Sequence, residues 1–299
     1  MLDIDQERRL FKRNWRYFGV CLPLLLFLNN AANNAVFYAW SAQAMYEQRP
    51  LPDVLLAEDP SVVRLATGVR LGAIIMMWVT FVGALAFPCA HSTVLVLRRF
   101  ICVYAVASAL RLSTLFVTLL PATSYYCIAP HAGGTYRASR APRTAWDVLT
   151  QVHWKHNCGD FLFSGHTSLM VCVWLTVELC MAGYWQRWAS APRSDGSRSW
   201  ARKFVAAQIL GVYGMRMKIA IFLYNTPRAR KHYTIDVLVA FYVTCLLWNS
   251  LAVHFPTTLD DERAATAPPL LPMLKFAAAS DVNANSALTF YDSLKRRDK

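Results

Sequence analysis

Apolar and polar residues along this chain fall into blocks and do not alternate. Six apolar runs stand out, Tyr17–Trp40, Leu65–Phe87, Phe100–Leu120, Phe161–Tyr184, Phe204–Tyr224 and Tyr233–His254, each closed by polar, basic or proline-containing sequence. Each is about 20 residues long, enough to cross roughly 30 Å of hydrocarbon at about 1.5 Å per residue. A bilayer core offers no water to backbone N–H and C=O groups, and the runs lack the two-residue period of a membrane barrel, so helices are predicted. The expected fold is all-α and polytopic. A cytosolic segment 1–16 precedes a six-helix transmembrane bundle over 17–254, and a tail over 255–299, rich in Ala, Pro, Asp and Ser, reads as cytosolic and mostly disordered.

Composition agrees with that pattern, since 56% of the 299 residues are apolar and only 16% are charged. The net charge of +13 raises nucleic acid as a partner. The basic residues, however, sit in short caps between apolar runs and form no continuous groove, so no nucleic acid is expected. Arg8, Arg9, Lys12, Arg13, Arg16, Arg98, Arg99, Arg187, Arg193, Arg198, Arg202 and Lys203 then lie on one side with both termini, which the positive-inside rule makes cytosolic. The exceptions are Arg137, Arg140, Arg143, Lys155, Arg228, Arg230 and Lys231, which border histidine motifs on the other side. They read either as contacts for an anionic substrate or as ordinary loop solubility. The first run follows a basic stretch, exceeds a signal-peptide core in length and lacks a small-residue cleavage site, so an anchor is expected.

Five cysteines sit within apolar runs as small hydrophobes, whereas Cys127 and Cys158 lie in the third connection. On the predicted topology that connection faces an oxidising lumen, and a disulfide between the two is one reading the sequence leaves open. Asn29, Asn30, Asn33 and Asn34 are unusual for a lipid-facing run and imply either bonds to other helices or a break.

Ionisable residues gather at one end of the fourth and sixth runs. The first segment reads Cys158-Gly159-Asp160-Phe161-Leu162-Phe163-Ser164-Gly165-His166-Thr167, the second His232-Tyr233-Thr234-Ile235-Asp236-Val237. Such groups are costly near a membrane and point to function. His232 and Asp236 are four apart, one turn on a shared helix face, where the carboxylate can fix the imidazole tautomer. His166 enters from another helix on the same side. Two imidazoles, one held by an acid, suit phosphoryl transfer, one as nucleophile and one protonating the leaving oxygen.

Around them, Asp160 could orient His166, receive a substrate hydroxyl or act as an ordinary N-cap. Ser164 and Gly165 shape the turn presenting His166, and Thr167 could donate to a phosphate oxygen. Arg111, near the middle of the third run, should face the bundle interior toward a carboxylate or a lipid phosphate. Arg216 and Lys218 are closer to a helix end and can snorkel. His153, His156 and Cys158 lack a fourth ligand at a zinc-site spacing, so neither a metal nor another cofactor is expected.

Ser-Gly-His followed about 65 residues later by His-x-x-x-Asp resembles the type 2 phosphatidic acid phosphatase superfamily, whose members work through a phosphohistidine. The fuller pattern, Cys-Gly-Asp-x-x-x-Ser-Gly-His-Thr with His-Tyr-Thr-x-Asp-Val, resembles the sphingomyelin synthase family, which includes the inositol phosphorylceramide synthases. Pro50-Leu51-Pro52-Asp53, and Arg98-Arg99 with Arg111 and Thr118, agree with it. Ser108 and Phe241 stand where the family has tyrosines, and Thr226 replaces the arginine that the phosphatases carry before their second histidine.

The resemblance implies a six-helix enzyme of the Golgi or plasma membrane, with a lumenal or extracellular site. It would transfer a phosphorylated head group from a glycerophospholipid to ceramide, with phosphocholine slightly favoured over phosphoinositol or phosphoethanolamine. His166, His232 and Asp236 would be catalytic, and Asp160, Ser164, Thr167 and Arg111 substrate-binding. Ceramide, a glycerophospholipid and membrane lipids are the implied partners, with homo-oligomerisation left open. The alternatives are a lipid phosphate phosphatase and a non-catalytic ceramide sensor.

Overall fold

A computed structural model describes residues 4–86, 91–115, 120–130, 135, 141–151, 158, 163–189 and 198–258. The described residues form helices and turns, with no strand among them. The helices are α1 (Ile4–Arg16), α2 (Leu22–Ala42), α3 (Pro60–Ala86), α4 (Thr93–Leu115), the short α5 (Ala145–Thr150), α6 (Gly165–Ala189), α7 (Arg198–Arg228) and α8 (Thr234–Ser250). A π turn over Tyr17–Cys21 joins α1 to α2, so the basic segment predicted to precede the first span is itself helical and continuous with it.

Four helices are long and apolar enough to cross a membrane by length and composition: Ile4–Ala42, Pro60–Ala86, Thr93–Thr114 and Gly165–Tyr184. They account for the first four predicted runs and make this a membrane protein. The fifth run falls inside the 31-residue α7. The sixth falls in α8, whose 17 residues extend roughly 26 Å, a little short of a full hydrocarbon core.

At α4 the helix start differs from the apolar boundary, and a polar group from elsewhere in the chain is responsible. α4 begins at Thr93 and not at Phe100 because the Glu7 carboxylate of α1 accepts from Thr93 N (3.1 Å), Val94 N (3.2 Å) and Ser92 Oγ (3.1 Å), capping its exposed N–H groups. The first residues of the supposed tail are also held. Ser92 N donates to Thr257 O (3.1 Å), and Pro256 and Thr257 are buried, while residues 259–299 lie outside the described part.

α6 is the central helix, touching α3, α4, α7 and α8, and α3 packs along α7. Met77, Val103, Met170, Val173, Val177, Met215 and Phe222 fill the centre. Lipid tails are as apolar as these side chains, so polar contacts between helices carry unusual weight in holding register. Such ties include Tyr184 Oη to Ala84 O (3.1 Å), Arg99 Nη2 to Trp248 O (2.6 Å), Lys218 Nζ to Thr80 Oγ1 (2.8 Å) and the Arg216–Glu178 ion pair (2.6 Å).

Candidate functional site

One end of the bundle gathers the N-termini of α6 and α8 with a smaller cluster that includes Phe37, Trp40, Cys127, Cys158 and Tyr233. Cys127 and Cys158 form a disulfide with Cα atoms 5.9 Å apart. It ties the connection after α4 to the segment leading into α6.

α6 starts where Ser164 caps it: Ser164 Oγ accepts from Thr167 N (3.2 Å) and from Thr167 Oγ1 (2.8 Å). The Thr167 hydroxyl, considered above for a phosphate oxygen, is thus buried against Ser164. His166, between them in the first turn, is exposed. Asp160, His153, His156 and Thr118 lie outside the described residues.

His232 stands just before α8, not on it. Its approach to Asp236 therefore comes from the capping turn and not from a shared helix face. Asp236 Oδ2 accepts from Tyr233 N (2.8 Å), as an acid at the third helical position does, and this brings His232 Nδ1 to 3.7 Å from the same oxygen. That separation is longer than a hydrogen bond, and both groups are withdrawn from solvent, Asp236 fully and His232 nearly so. The two motifs abut directly: Ser164 N donates to Asp236 O at 3.4 Å.

Arg111 faces the interior, as predicted from the cost of its charge. Three of its contacts are to neutral oxygens. Nε donates to Phe163 O (3.1 Å), Nη1 to Asn29 Oδ1 (2.5 Å) and Nη2 to Asn33 Oδ1 (2.8 Å). Two of the four unusual asparagines of the first run thus hold the arginine that braces the residue before Ser164. The other two hold α5: Asn30 Nδ2 donates to Gln151 O (2.9 Å), and Asn34 Nδ2 to Val148 O (2.9 Å) and Gln151 O (2.7 Å). Gly165 lets the guanidinium come close, since a Cβ on it would lie 3.1 Å from Arg111 Cζ.

Among the basic residues near the histidine motifs, Arg230 proves structural. Its Nε donates to Thr123 O (2.7 Å) and its Nη1 to Ala57 O (2.9 Å), while the guanidinium carbon sits 4.4 Å from the Tyr125 ring centroid. Its backbone has φ 52°, and its carbonyl accepts from Thr123 Oγ1 and Ser124 Oγ. Arg228 instead donates to Tyr224 Oη (2.7 Å), and Lys231 lies over the Tyr126 ring.

Sequence reasoning did not assign Asp53 or Tyr233. Asp53 Oδ2 accepts from Thr234 N (2.6 Å) and Oδ1 from Thr234 Oγ1 (2.5 Å), while Tyr233 Oη donates to Pro121 O (2.8 Å). The signal for both was present in the Pro50–Asp53 and His-Tyr-Thr motifs, without any geometry to connect them.

Comparison with known proteins agrees with the resemblance read from the motifs. Residues 157–254, which contain both histidine segments, match the PAP2 superfamily C-terminal family. The chain is 26% identical over 247 residues to sphingomyelin synthase-related protein 1 of Mus musculus, covering 81% of this chain and 46% of that protein. It is 27% identical over 185 residues to phosphatidylinositol:ceramide inositolphosphotransferase 3 of Arabidopsis thaliana, covering 60% and 54% respectively. With phosphatidylcholine:ceramide cholinephosphotransferase 1 of Homo sapiens it shares 29% over 155 residues, 50% of this chain and 32% of that one. The chain thus spans about half the length of the first two of these relatives and about a third of the last.

Proposed function

We propose that this chain, a relative of the sphingomyelin and inositol phosphorylceramide synthases, is a ceramide phosphotransferase that moves a phosphorylated head group from a glycerophospholipid to the primary hydroxyl of ceramide. The observation that carries this reading is the contact between the Ser164–Thr167 turn and the His232–Asp236 turn, which sets two histidine segments edge to edge at one end of the bundle.

In the first step His232 Nε2 attacks phosphorus. Asp236, 3.7 Å from Nδ1, balances the growing positive charge on the ring, and the bond from phosphorus to the diacylglycerol oxygen breaks as His166 protonates that oxygen. In the second step His166 takes the proton of the ceramide hydroxyl. The hydroxyl oxygen bonds to phosphorus and the phosphorus–nitrogen bond breaks, returning His232. Imidazole is suited to both proton roles near neutral pH, and no step needs a metal or another cofactor. Asp160 is assigned to His166 or to the acceptor hydroxyl. Arg111, Ser164 and Thr167, expected from the motifs to bind substrate, also brace the turn that carries His166.

Lipid substrates must arrive sideways. A cavity of about 370 Å³ opens beside the N-terminus of α8, walled by Leu51, Pro52, Val54, Leu120, Ile235 and Leu238, and supports lateral access. The six-span topology adds α7 and α8 to the four apolar helices, with both termini cytosolic and the site in the lumen or outside the cell. The Cys127–Cys158 disulfide supports that placement, since such bonds persist in oxidising compartments. Golgi or plasma membrane is what the resemblance to the sphingomyelin synthases implies, and phosphocholine is the favoured head group. An introduced cysteine at Val54, 98% exposed, should be labelled only from the lumenal face of sealed vesicles. Labelling from the cytosolic face would overturn the topology.

The decisive assay gives the purified protein fluorescent ceramide in mixed phospholipid vesicles and identifies products by mass spectrometry. A phosphosphingolipid and diacylglycerol should appear in equal amounts. His166→Ala, His232→Ala and Asp236→Asn should each abolish most of the turnover while the protein still inserts. Parent-level activity in His232→Ala would remove the mechanism. Free phosphate released from a lipid phosphate, without transfer to ceramide, would identify a phosphatase instead, and ceramide binding without turnover would identify a sensor.

A further inference from the structure

The Pro50-Leu51-Pro52-Asp53 segment lies 181 positions before the α8 turn it touches. α8 is unusual at its start, because its N-cap is Tyr233, a residue with no side-chain oxygen able to cap locally. The missing acceptor comes from the distant loop. Asp53 Oδ2 takes Thr234 N at 2.6 Å, while Oδ1 takes Thr234 Oγ1 at 2.5 Å and Leu55 N at 2.9 Å, fixing the carboxylate within its own loop as well. A second strut runs beside the first: Leu51 N donates to Tyr233 Oη (3.0 Å), which in turn donates to Pro121 O (2.8 Å).

We propose that Asp53 is a positioning residue, an N-cap supplied in trans to α8 that sets where His232 and Asp236 stand. Three features make this more than a stabilising contact. A carboxylate at a helix N-terminus is favoured by the helix dipole, so the loop docks there and not elsewhere along α8. The two prolines restrict the loop's backbone, which gives the docked acid little freedom to wander. Thr234 is one residue from Tyr233, whose N–H holds Asp236, and two from His232, so any slip at Thr234 is passed directly to the 3.7 Å His232–Asp236 approach.

The inference rests on the reading of His232 and Asp236 as catalytic, and the test separates the two. A double-mutant cycle is run on the purified full-length protein with Asp53→Ala, Thr234→Val and the double variant, measuring kcat and KM for both lipids. Displacement of a reacting group by about an ångström costs on the order of 10²-fold, so Asp53→Ala should lower kcat by about that factor with KM changed less than about threefold. Asp53→Asn, which keeps one oxygen acceptor, should recover part of the loss. The double variant should be no slower than Asp53→Ala alone, because the hydroxyl bond that Thr234→Val removes is already lost when Asp53 is replaced.

A folded Asp53→Ala enzyme with parent kcat would overturn the proposal. So would strictly multiplicative losses in the double variant, or a raised KM with unchanged kcat, which would make Asp53 a direct substrate contact. Where Asp53→Ala fails to insert, Asp53→Asn and Thr234→Val are read by the same split and decide the question. An inactive His232→Ala beside a normal Asp53→Ala refutes only the positioning role, whereas an active His232→Ala refutes the site assignment.

Discussion

Replacing Arg111 with leucine tests whether the first, third and fourth predicted runs meet at one functional brace. The substitution keeps an apolar helix residue but removes a guanidinium that is only 3% exposed and donates to Asn29, Asn33 and the Phe163 carbonyl. Interhelical hydrogen bonds in membranes average about 0.6 kcal/mol and reach about 1.7, so losing the three costs about 2 and at most about 5 kcal/mol. That loss lowers thermal stability in detergent without preventing insertion, since leucine favours the membrane-embedded helix. The larger effect falls on turnover. Phe163 is the residue before the Ser164 cap and three before His166, so a released Phe163 carbonyl lets the His166 turn drift, at a cost of about 10²-fold in rate. Arg111→Lys keeps the charge but not the planar fork that reaches three acceptors, and should sit between parent and Arg111→Leu. The assay pairs melting curves with ceramide turnover for both variants and for Asn29→Ala/Asn33→Ala. The asparagine pair should reproduce most of the leucine defect. Normal turnover in Arg111→Leu would refute the brace. A parent-like asparagine variant beside an inactive Arg111→Leu would show instead that the guanidinium acts on substrate directly.

Gly165→Ala should slow transfer without unfolding the protein, because the new Cβ would lie 3.1 Å from Arg111 Cζ and Nη1 and the asparagines leave the guanidinium little room to retreat; overpacking of this kind costs about 1–3 kcal/mol, read by melting and rate together. Cys158→Ser should lower the melting temperature and abolish its sensitivity to reductant, since the lost bridge spans 31 positions and a loop of that size is worth roughly 3 to 4 kcal/mol. Asp147, exposed at the start of α5, accepts from the backbone of Arg143 and then from Thr144, and these bonds hold its carboxyl below the usual 3.8. A lowered value means the capping contribution is present above the ordinary carboxylate range and is lost only as pH falls through the lowered one, so amide exchange at Val148 should stay slow on mild acidification. Acceleration already in the range of unperturbed carboxylates would contradict it.

How far the sequence reached depends on the distance over which each interaction acts. Helix existence was legible because twenty apolar residues in a row have one economical conformation in a bilayer, and the helices found over the six runs reflect that rule. The start of α4 was not, because its cap comes from elsewhere, Glu7; the start of α8 was legible to within a residue, but not the Asp53 carboxylate that holds it. The nearness of His232 to Asp236 was legible from a spacing of four, yet its cause was misread. A helix face was expected, whereas a capping turn places His232 outside the helix. Arg230 was weighed as a substrate contact on its charge and its closeness to a histidine. Only the positions of the Thr123 and Ala57 carbonyls, 107 and 173 positions away in the chain, reveal it as a tie between loops. Of the two readings of the four asparagines, bonds to other helices or a break, the structure shows the first, but their partners, in the third run and in the connection after it, could not be named from the first run alone.

These long-range ties share a logic. Each proposed catalytic segment is short, sits at a helix end, and is held by a polar group from a different part of the chain. The His166 turn is backed by Arg111 and, through it, by Asn29 and Asn33; the His232–Asp236 turn is backed by Asp53 and by the Tyr233 bond to Pro121. In a lipid-surrounded bundle the apolar packing that would normally fix such ends brings little solvent-exclusion energy, so placement falls to hydrogen bonds whose alternatives in hydrocarbon are poor. Substitutions at these supports should therefore depress turnover more steeply than stability. Substitutions in the Met77–Phe222 core should do the reverse, lowering stability first and leaving the rate per folded molecule near the parent value.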